Sequence, residues 1–251
     1  MDTLKICGGR YLKLLFIRRK IYFKEIILSI ILCSFFFATI TEASKRRPAK
    51  VDLSYYLDSR DFNTLNLQTS LPDLPWGFNI WGFVDFHSEQ KNADERFDLT
   101  RYFMEYRLKR KIFNNTNSAW KGLGFEVEYN EANGADNTVL RTGVTYRHPL
   151  PFLHGNKSWL EWRYHPYETD GSGSQVSLIY FLNLTKRISI TGFADLNFEN
   201  GMDDRWLAEP QVNFMINETF DLVVEPRYNG FEDANNALDG FGIAGGIKIK
   251  F

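Results

Sequence analysis

Hydrophobic and polar residues alternate with a period of two from Val51 to the end of the chain, a pattern typical of β-strands with two unlike faces. The last segment shows the alternation most clearly. Its apolar face comprises Phe241, Ile243, Gly245, Ile247, Ile249 and Phe251. Its other face carries only glycine, alanine and lysine, and no segment of this region has a clear helical period. The pattern therefore predicts an all-β protein.

Turn signals divide the region into twelve predicted strands. Their ranges are 51–58, 62–71, 77–88, 97–110, 119–130, 137–148, 157–167, 174–184, 188–199, 205–216, 220–229 and 237–251. Most are longer than the five or six residues of an average soluble strand and match the length with which a tilted strand crosses a bilayer. An even number suits a closed antiparallel up-and-down barrel. The first two segments are the least well defined, which leaves ten strands as the alternative.

The connections fall into two alternating sets, as an up-and-down barrel requires. One set is acidic and rich in Gly and Asn, and we expect it to face the cell exterior; it comprises 89–96, 131–136, 168–173, 200–204 and 230–236. The other set includes the tight turns 185–187 and 217–219, which are typical of the periplasmic side of outer-membrane barrels.

Alternation alone leaves open which face points outward, because a lipocalin-like soluble barrel would turn its apolar face inward. The number and length of the strands favour a membrane barrel, since a soluble barrel of this width would need a very large apolar filling. Aromatic residues near the strand ends resemble the girdles of membrane barrels. They include Trp76, Tyr102, Tyr129, Tyr146, Trp206 and Tyr228. A soluble secreted β protein remains the alternative.

The first 43 residues predict an export signal. Basic residues are frequent up to Lys24, and residues 26–40 then run without a charge. That run is shorter than a spanning helix but fits the apolar part of a secretory signal, with cleavage expected after Ala43. An uncleaved anchor is the alternative. Residues 44–50 would form a short linker and 51–251 the barrel, which contains neither Cys7 nor Cys33.

The overall charge balance excludes two broad classes of protein. The 251 residues include 30 Lys and Arg against 31 Asp and Glu. A nucleic-acid-binding protein would be strongly basic, so we expect no nucleic-acid partner. A mean hydropathy of −0.32 excludes a bundle of membrane helices.

Phe251 directly follows an amphipathic strand, which resembles the C-terminal assembly signal of outer-membrane barrel proteins. Together with the export signal, this predicts a protein of the outer membrane. The expected partners are the barrel assembly machinery, outer-membrane lipid and lipopolysaccharide.

If the apolar face meets lipid, the lumen receives charges of both signs together with several aromatic rings. The candidate lumen and solute-contacting residues are Trp81, Phe83, Asp85, His87, Arg101, Phe103, Glu105, Arg107, Glu126, Glu128, Arg141, Arg163, Glu209, Glu225 and Arg227. The same face carries Lys109, Arg147, Trp159, Glu161, His165, Asp195 and Glu199. The apolar Phe193, Leu207, Met215 and Val223 break the pattern on this side. These charges either pair across strands and hold the interior together or line a water-filled passage.

The turn at 217–219 fixes the register of the last-but-one hairpin. Pro210 then lies opposite Pro226, and Gln211 lies opposite Glu225. In the same register Glu209 faces Arg227, so we expect Glu209→Ala to leave Arg227 unpaired.

Catalytic constellations are not evident in the sequence. His87 and Ser88 point to opposite faces of one strand, and the spacing of Cys and His predicts no metal site. We therefore expect neither enzyme activity nor a cofactor. A barrel-embedded lipid hydrolase remains a minor alternative.

One stretch bears a family resemblance. Residues 64–86, ending in Gly82, Phe83 and Asp85, resemble the early hairpin of the Tsx-type nucleoside-specific outer-membrane channel family, and residues 103–107 resemble its next strand. The resemblance covers about a quarter of the barrel and implies a twelve-stranded channel for nucleosides or similar solutes, with those three residues near the solute. The leading hypothesis is thus a channel for passive diffusion of small polar solutes. A non-conducting structural or adhesion barrel is the alternative.

Overall fold

The computed structural model describes residues 47–89, 101–113, 119–132, 138–169, 173–199, 203–230 and 238–251. The side chains of Glu89, Ala119 and Glu199 are outside this description. The predicted export signal 1–43, both cysteines and most of the predicted acidic loops also lie outside the described residues. The barrel belongs to a compact unit that spans Pro48–Phe251.

Twelve strands follow one another along the chain. They are β1 (Lys50–Asp58), β2 (Phe62–Leu71), β3 (Phe78–Glu89), β4 (Arg101–Lys111), β5 (Leu123–Ala132), β6 (Thr138–Leu150), β7 (Ser158–Glu168), β8 (Gly173–Asn183), β9 (Ile188–Glu199), β10 (Arg205–Met215), β11 (Phe220–Asn229) and β12 (Gly240–Lys250). Each pairs antiparallel with its sequence neighbours, and β12 pairs with β1 to close the sheet. The predicted twelve-stranded antiparallel barrel is confirmed.

The meander gives the barrel two rims. We call the rim at which β1 begins and β12 ends the terminal rim, and the opposite rim the loop rim. At the terminal rim the backbone N–H of Phe251 donates to the carbonyl of Val51 at 2.9 Å, next to the closing pair of strands. The side chain of Phe251 is exposed.

Several strand ends differ from the sequence prediction. The largest described difference is in β5, which begins at Leu123 instead of residue 119, because Ala119–Gly122 forms a 3-10 turn. A Cβ at Gly122 would lie 2.1 Å from the carbonyl oxygen of Arg147, so this position needs glycine. This turn lies at the terminal rim, and so do two further 3-10 turns, Pro75–Gly77 and His154–Asn156. Among the described residues no helix is long and apolar enough to cross a membrane.

The apolar and polar faces of the sheet have the opposite orientation to those of a soluble barrel. Apolar side chains point outward and are exposed, as Leu222 and Ile247 illustrate. Polar and charged side chains point inward and are buried: Thr64, Glu126 and His165 are each 0 % exposed. An outward apolar face suits a hydrocarbon surrounding, in which a closed sheet satisfies its own backbone groups.

One irregularity interrupts the ladder between β6 and β7. Thr142 pairs with Tyr167 but Val144 pairs with Tyr164, so β7 contains one extra residue there. The extra residue is a β-bulge. As a result the side chains of both His165 and Glu168 face the lumen, although the two residues are three positions apart and strict alternation would place them on opposite faces.

Candidate functional site

The candidate site is the lumen, and strand register decides which side chains enter it. Residues directly opposite in an antiparallel pair share a face. The pairs Trp81↔Arg107, Phe83↔Glu105 and Asp85↔Phe103 therefore share the inner face of β3 and β4. The same rule applied around the sheet places every lumen candidate from the sequence at an inward position.

Glu126 is the centre of an ion-pair cluster on β4 to β7, which we call the β4–β7 cluster. Its carboxylate lies 3.4 Å from Arg163 Nη1, 3.3 Å from His165 Nε2 and 3.8 Å from Lys109 Nζ. The side chains of Glu126 and His165 are completely buried. These contacts hold the inward side chains of β4, β5 and β7 together on the wall of the lumen.

The rest of the β4–β7 cluster continues through shared carboxylates. Glu128 accepts from Arg107 Nε and Arg141 Nη1, each at 2.9 Å. Arg107 also pairs with Glu105, and Arg141 also pairs with Glu168.

Glu161 likewise joins three cations: Arg147 Nε at 2.7 Å, Arg163 at 3.1 Å and Lys109. Each carboxylate of this cluster therefore has at least one cationic partner.

Glu126, Glu128 and His165 also form the one described group whose donor atoms could hold a metal ion, within 4.8 Å of one another. The two carboxylates already pair with Arg163, Arg107 and Arg141. A divalent cation would have to enter beside these guanidinium groups, and like charges at such distances repel strongly in a buried site. The donor set suits a protein-internal ion-pair network better than a metal centre.

Arg227 is the centre of a second cluster, formed by residues of β1–β3, β10 and β11. Its Nε donates to Glu225 at 2.6 Å, and its Nη1 lies 3.4 Å from Asp58 and 3.2 Å from the Thr64 hydroxyl. Asp58 is held in turn by Arg60 at 2.9 Å. These contacts connect β11 with β1 and β2, on either side of β12, where the sheet closes.

Glu209 does not form the ion pair that the sequence predicted. The β10–β11 register places it opposite Arg227 as expected. The guanidinium instead bonds within its own strand to Glu225 and to Asp58 on β1, two strands away around the barrel. The prediction that Glu209→Ala leaves Arg227 unpaired is therefore wrong, because a long arginine side chain reaches past its register partner.

Neutral polar residues complete this second cluster. Gln211 donates to the hydroxyl of Tyr56 at 2.7 Å and contacts Glu225. Asn66 donates to Asp85 at 2.7 Å. His87 Nδ1 lies 3.1 Å from the Thr64 hydroxyl, but Thr64 is completely buried, which leaves no approach for a substrate to this hydroxyl.

Aromatic rings lie between the charged groups. Phe83 contacts Trp81 and Phe103, with ring centroids 5.6 and 5.8 Å apart. The guanidinium of Arg107 lies 5.1 Å from the Trp81 ring, and that of Arg147 lies 3.8 Å from Trp159. These are cation–π distances, so the rings also help to position the cations.

Some lumen residues were not expected from the sequence. Tyr56 and Asp58 lie on the inward face of β1. The alternation of polar and apolar residues along this strand is the signal that could have identified them. Phe193 and Val223, the apolar exceptions on the polar side of their strands, lie in the lumen as the alternation predicts. Glu168 enters the lumen because of the β-bulge in β7, which the alternation does not reveal.

Comparisons with known proteins give a structural likeness alone. No protein-family model and no curated protein matches the chain. Among solved structures, the KdgM porin has a TM-score of 0.51 and 13% identity, covering 80% of this chain and 99% of that chain. The KdgM porin in complex with disordered oligogalacturonate has a TM-score of 0.50 with the same identity and coverage. The chain therefore has a barrel fold similar to that of a porin.

Proposed function

We propose that this protein is an outer-membrane channel through which small polar solutes diffuse passively. The observation that carries the proposal is the reversal of the two faces: an apolar outer surface surrounds an inner surface of paired charges and aromatic rings. The outer surface suits lipid, and the inner surface offers hydrogen-bonding groups to a hydrated solute. The gradient of the solute supplies the driving force, so no cofactor takes part.

The aromatic residues predicted at the lipid boundary support the membrane location. Trp206 and Tyr228 are exposed on the outer face. Tyr102 and Tyr129 both donate their hydroxyls to Glu131, next to the loop rim. Rings with one polar end suit the boundary between hydrocarbon and headgroups. Outer-membrane lipid and lipopolysaccharide are thus the proposed surroundings.

The identity of the solute is a separate part of the proposal. Phe83 and Asp85 lie in the lumen, where a ring and a carboxylate could contact a nucleoside. Gly82 points outward, and a Cβ there would lie 2.5 Å from the carbonyl oxygen of Glu105, so Gly82 allows strand packing instead of contacting solute. Oligogalacturonate, which the KdgM porin binds, is the acidic alternative.

A non-conducting structural barrel is the second candidate, and a specific observation favours it. Glu126, Glu128, Glu161 and His165 are at most 1 % exposed. Side chains three strands apart also meet inside the barrel: Lys109 on β4 pairs with Glu161 on β7, and Gln211 on β10 donates to Tyr56 on β1. Such contacts span part of the lumen and favour a closed passage.

Planar-bilayer recordings test the proposal. The full-length protein is purified in detergent, its folding is checked by heat-modifiable migration on a gel, and single-channel current is recorded. Discrete current steps are expected, with nucleosides, neutral sugars, galacturonate and amino acids then added as blockers. A folded barrel that never conducts would refute the channel and support the structural barrel.

A further inference from the structure

Arg110 is a charged residue on the mainly apolar outer face of the barrel. Its register partners are Phe78 on β3 and Phe125 on β5, and its side chain is exposed. The register places every other lysine and arginine of the described strands at an inward position. A cation on the lipid-facing surface of a barrel is unfavourable, and its cost falls toward the headgroups. An anionic headgroup is the partner that such a cation fits.

Arg110 lies near the terminal rim, but apolar residues continue past it. Leu108 precedes it and Ile112 follows it at alternate positions of the chain, and both side chains are exposed. Phe113, one residue further along, is exposed as well. The apolar surface therefore extends on both sides of Arg110, which places its guanidinium at the boundary of the hydrocarbon.

The guanidinium of Arg110 is held in place but has no anionic partner among the described residues. It lies 5.6 Å from the centre of the Phe78 ring, and Phe78 contacts Phe125 edge to face with ring centroids 5.9 Å apart. This is a cation–π distance, so the rings help to position the charge. No described residue forms a hydrogen bond or an ion pair with this guanidinium. Its five N–H groups can therefore bind an acceptor from the surrounding lipid.

A second cation lies beside the end of β4. The backbone N–H of Ile112 donates to the carbonyl of Leu123 at 3.0 Å, which brings the turn Ala119–Gly122 next to the end of β4. Lys121 is exposed in this turn. The described part of the connection between β4 and β5 contains no Asp or Glu. The positive charges of Arg110 and Lys121 are therefore not balanced within this connection.

Two exposed indole rings belong to the same part of the rim. Trp120 precedes Lys121 and is 60 % exposed, and Trp76, two residues before Phe78, is 82 % exposed. Trp76 has a φ of 59°, which a bulky residue rarely adopts. Strained residues of this kind cluster at sites that bind ligands. Tryptophan is also enriched at the level of lipid headgroups, so both rings suit a contact with lipid.

We propose that these residues form a binding site for the headgroup of an anionic phospholipid such as phosphatidylglycerol. The planar guanidinium of Arg110 donates two parallel N–H bonds to the lipid phosphate. Lys121 adds a second positive charge, and the two indole rings contact the glycerol and the first acyl carbons. A zwitterionic headgroup fits less well, because the two cations repel its ammonium group. The inference rests on the proposed contact of the outer face with lipid.

Native mass spectrometry measures lipid binding directly. The full-length protein, freed of lipid in detergent, is titrated with phosphatidylglycerol and separately with phosphatidylethanolamine of the same acyl chains. We expect phosphatidylglycerol to bind at concentrations about tenfold lower than phosphatidylethanolamine. Arg110→Gln should weaken phosphatidylglycerol binding about tenfold, the loss typical of one charged hydrogen bond. Arg110→Lys keeps the charge but lacks the planar fork, so its loss should be intermediate.

Lys186→Gln is the matched control. Lys186 is an exposed cation in the tight turn between β8 and β9 at the same rim, so this variant changes the net charge equally but should bind phosphatidylglycerol as the wild type does. Heat-modifiable migration shows whether each variant is folded. Equal binding of the two lipids, or equal effects of Arg110→Gln and Lys186→Gln, would overturn the inference. Tighter binding of lipopolysaccharide that depends on Arg110 would overturn the assignment to a phospholipid.

Planar-bilayer recordings of the wild type separate this inference from the proposed function. A conducting barrel that prefers phosphatidylglycerol supports both. A silent barrel with the same lipid preference refutes the channel but keeps the lipid site. A conducting barrel without this preference keeps the channel and refutes the lipid site.

Discussion

Pro210 and Pro226 lie opposite each other where β10 pairs with β11. The flanking pairs Ala208↔Tyr228 and Val212↔Val224 share one register, and continuing it across residues 209–211 places the two prolines face to face. The backbone N–H of Gly230 donates to the carbonyl of Trp206 at 2.8 Å in this register, so every second pair, including the prolines, belongs to the hydrogen-bonded set. Since proline lacks an N–H, both carbonyls of that pair lose their donor.

Restoring a donor at this pair should stabilise the barrel. Pro226→Ala supplies an N–H for the carbonyl of Pro210, and Pro210→Ala does the reverse. An unsatisfied carbonyl inside a bilayer costs several kcal/mol, which exceeds the roughly 0.4–1 kcal/mol of unfolded-state entropy that is lost with proline. We expect each variant to raise the free energy of unfolding by about 1 kcal/mol, measured by urea unfolding in lipid vesicles.

Pro75→Ala is the control for this pair. Pro75 begins a 3-10 turn at the terminal rim, where no backbone N–H is required. That variant should be slightly less stable than the wild type. If Pro210→Ala and Pro226→Ala lowered the free energy of unfolding as Pro75→Ala does, the missing hydrogen bonds would contribute little to stability.

Glu225, and not Glu209, should be the residue coupled to Arg227. Glu225→Gln removes a charged acceptor 2.6 Å from Arg227 Nε in a buried site, which should cost about 3 kcal/mol. Glu209→Gln should cost below about 1 kcal/mol, because Arg227 keeps its partners. Double-mutant cycles with Arg227→Gln measure both couplings. A larger coupling for Glu209 would support the pairing that the sequence suggested.

Gly143→Ala should prevent normal packing at the bulge between β6 and β7. A Cβ there would lie 2.1 Å from the carbonyl oxygen of Tyr164 and 2.6 Å from His165 Cδ2. Overpacking of this kind costs about 1–3 kcal/mol, and backbone contacts leave little room for relaxation. We expect loss of the heat-modifiable folded band. Gly245→Ala is the control, since its Cβ would meet no atom within 4 Å and the variant should fold normally.

Glu161→Gln should weaken the β4–β7 cluster strongly. Lys109, Arg147 and Arg163 share this carboxylate, which is 1 % exposed. Removing its charge leaves three cations close together, so we expect a loss of about 3 kcal/mol in the free energy of unfolding. Urea unfolding followed by tryptophan fluorescence measures the loss, with Glu218→Gln as the exposed control. A loss equal to that of the control would show that the cluster contributes little.

The sequence predicted the strand number and register well for a local reason. Alternation with period two states which side chains share a face, and tight turns such as 217–219 fix how neighbouring strands align. The β10–β11 pairing therefore came directly from the turn. The start of β5 did not, because the 3-10 turn at Ala119–Gly122 depends on contact with β6.

The candidate site was predicted as a list of inward residues, without their contacts. Charged positions on the polar face, such as Glu126 and Arg163, could be assigned to the lumen from alternation alone. Their partners could not, because Glu126 lies on β5 while Arg163 and His165 lie on β7, two strands away. Long side chains choose among several neighbours, as Arg227 shows by bonding to Glu225 and Asp58 instead of Glu209.

The sequence by itself thus determined the barrel class, the strands, and the face to which most side chains belong, since these follow from period, length and turn chemistry between neighbouring residues. Only the tertiary structure decided which residues meet across the lumen. Closure of β12 on β1 and the pairing of Lys109 with Glu161 depend on strands far apart in sequence, and the bulge that turns Glu168 inward is not visible in the alternation. Contacts of this kind are set by the curvature of the whole sheet, which no local pattern encodes.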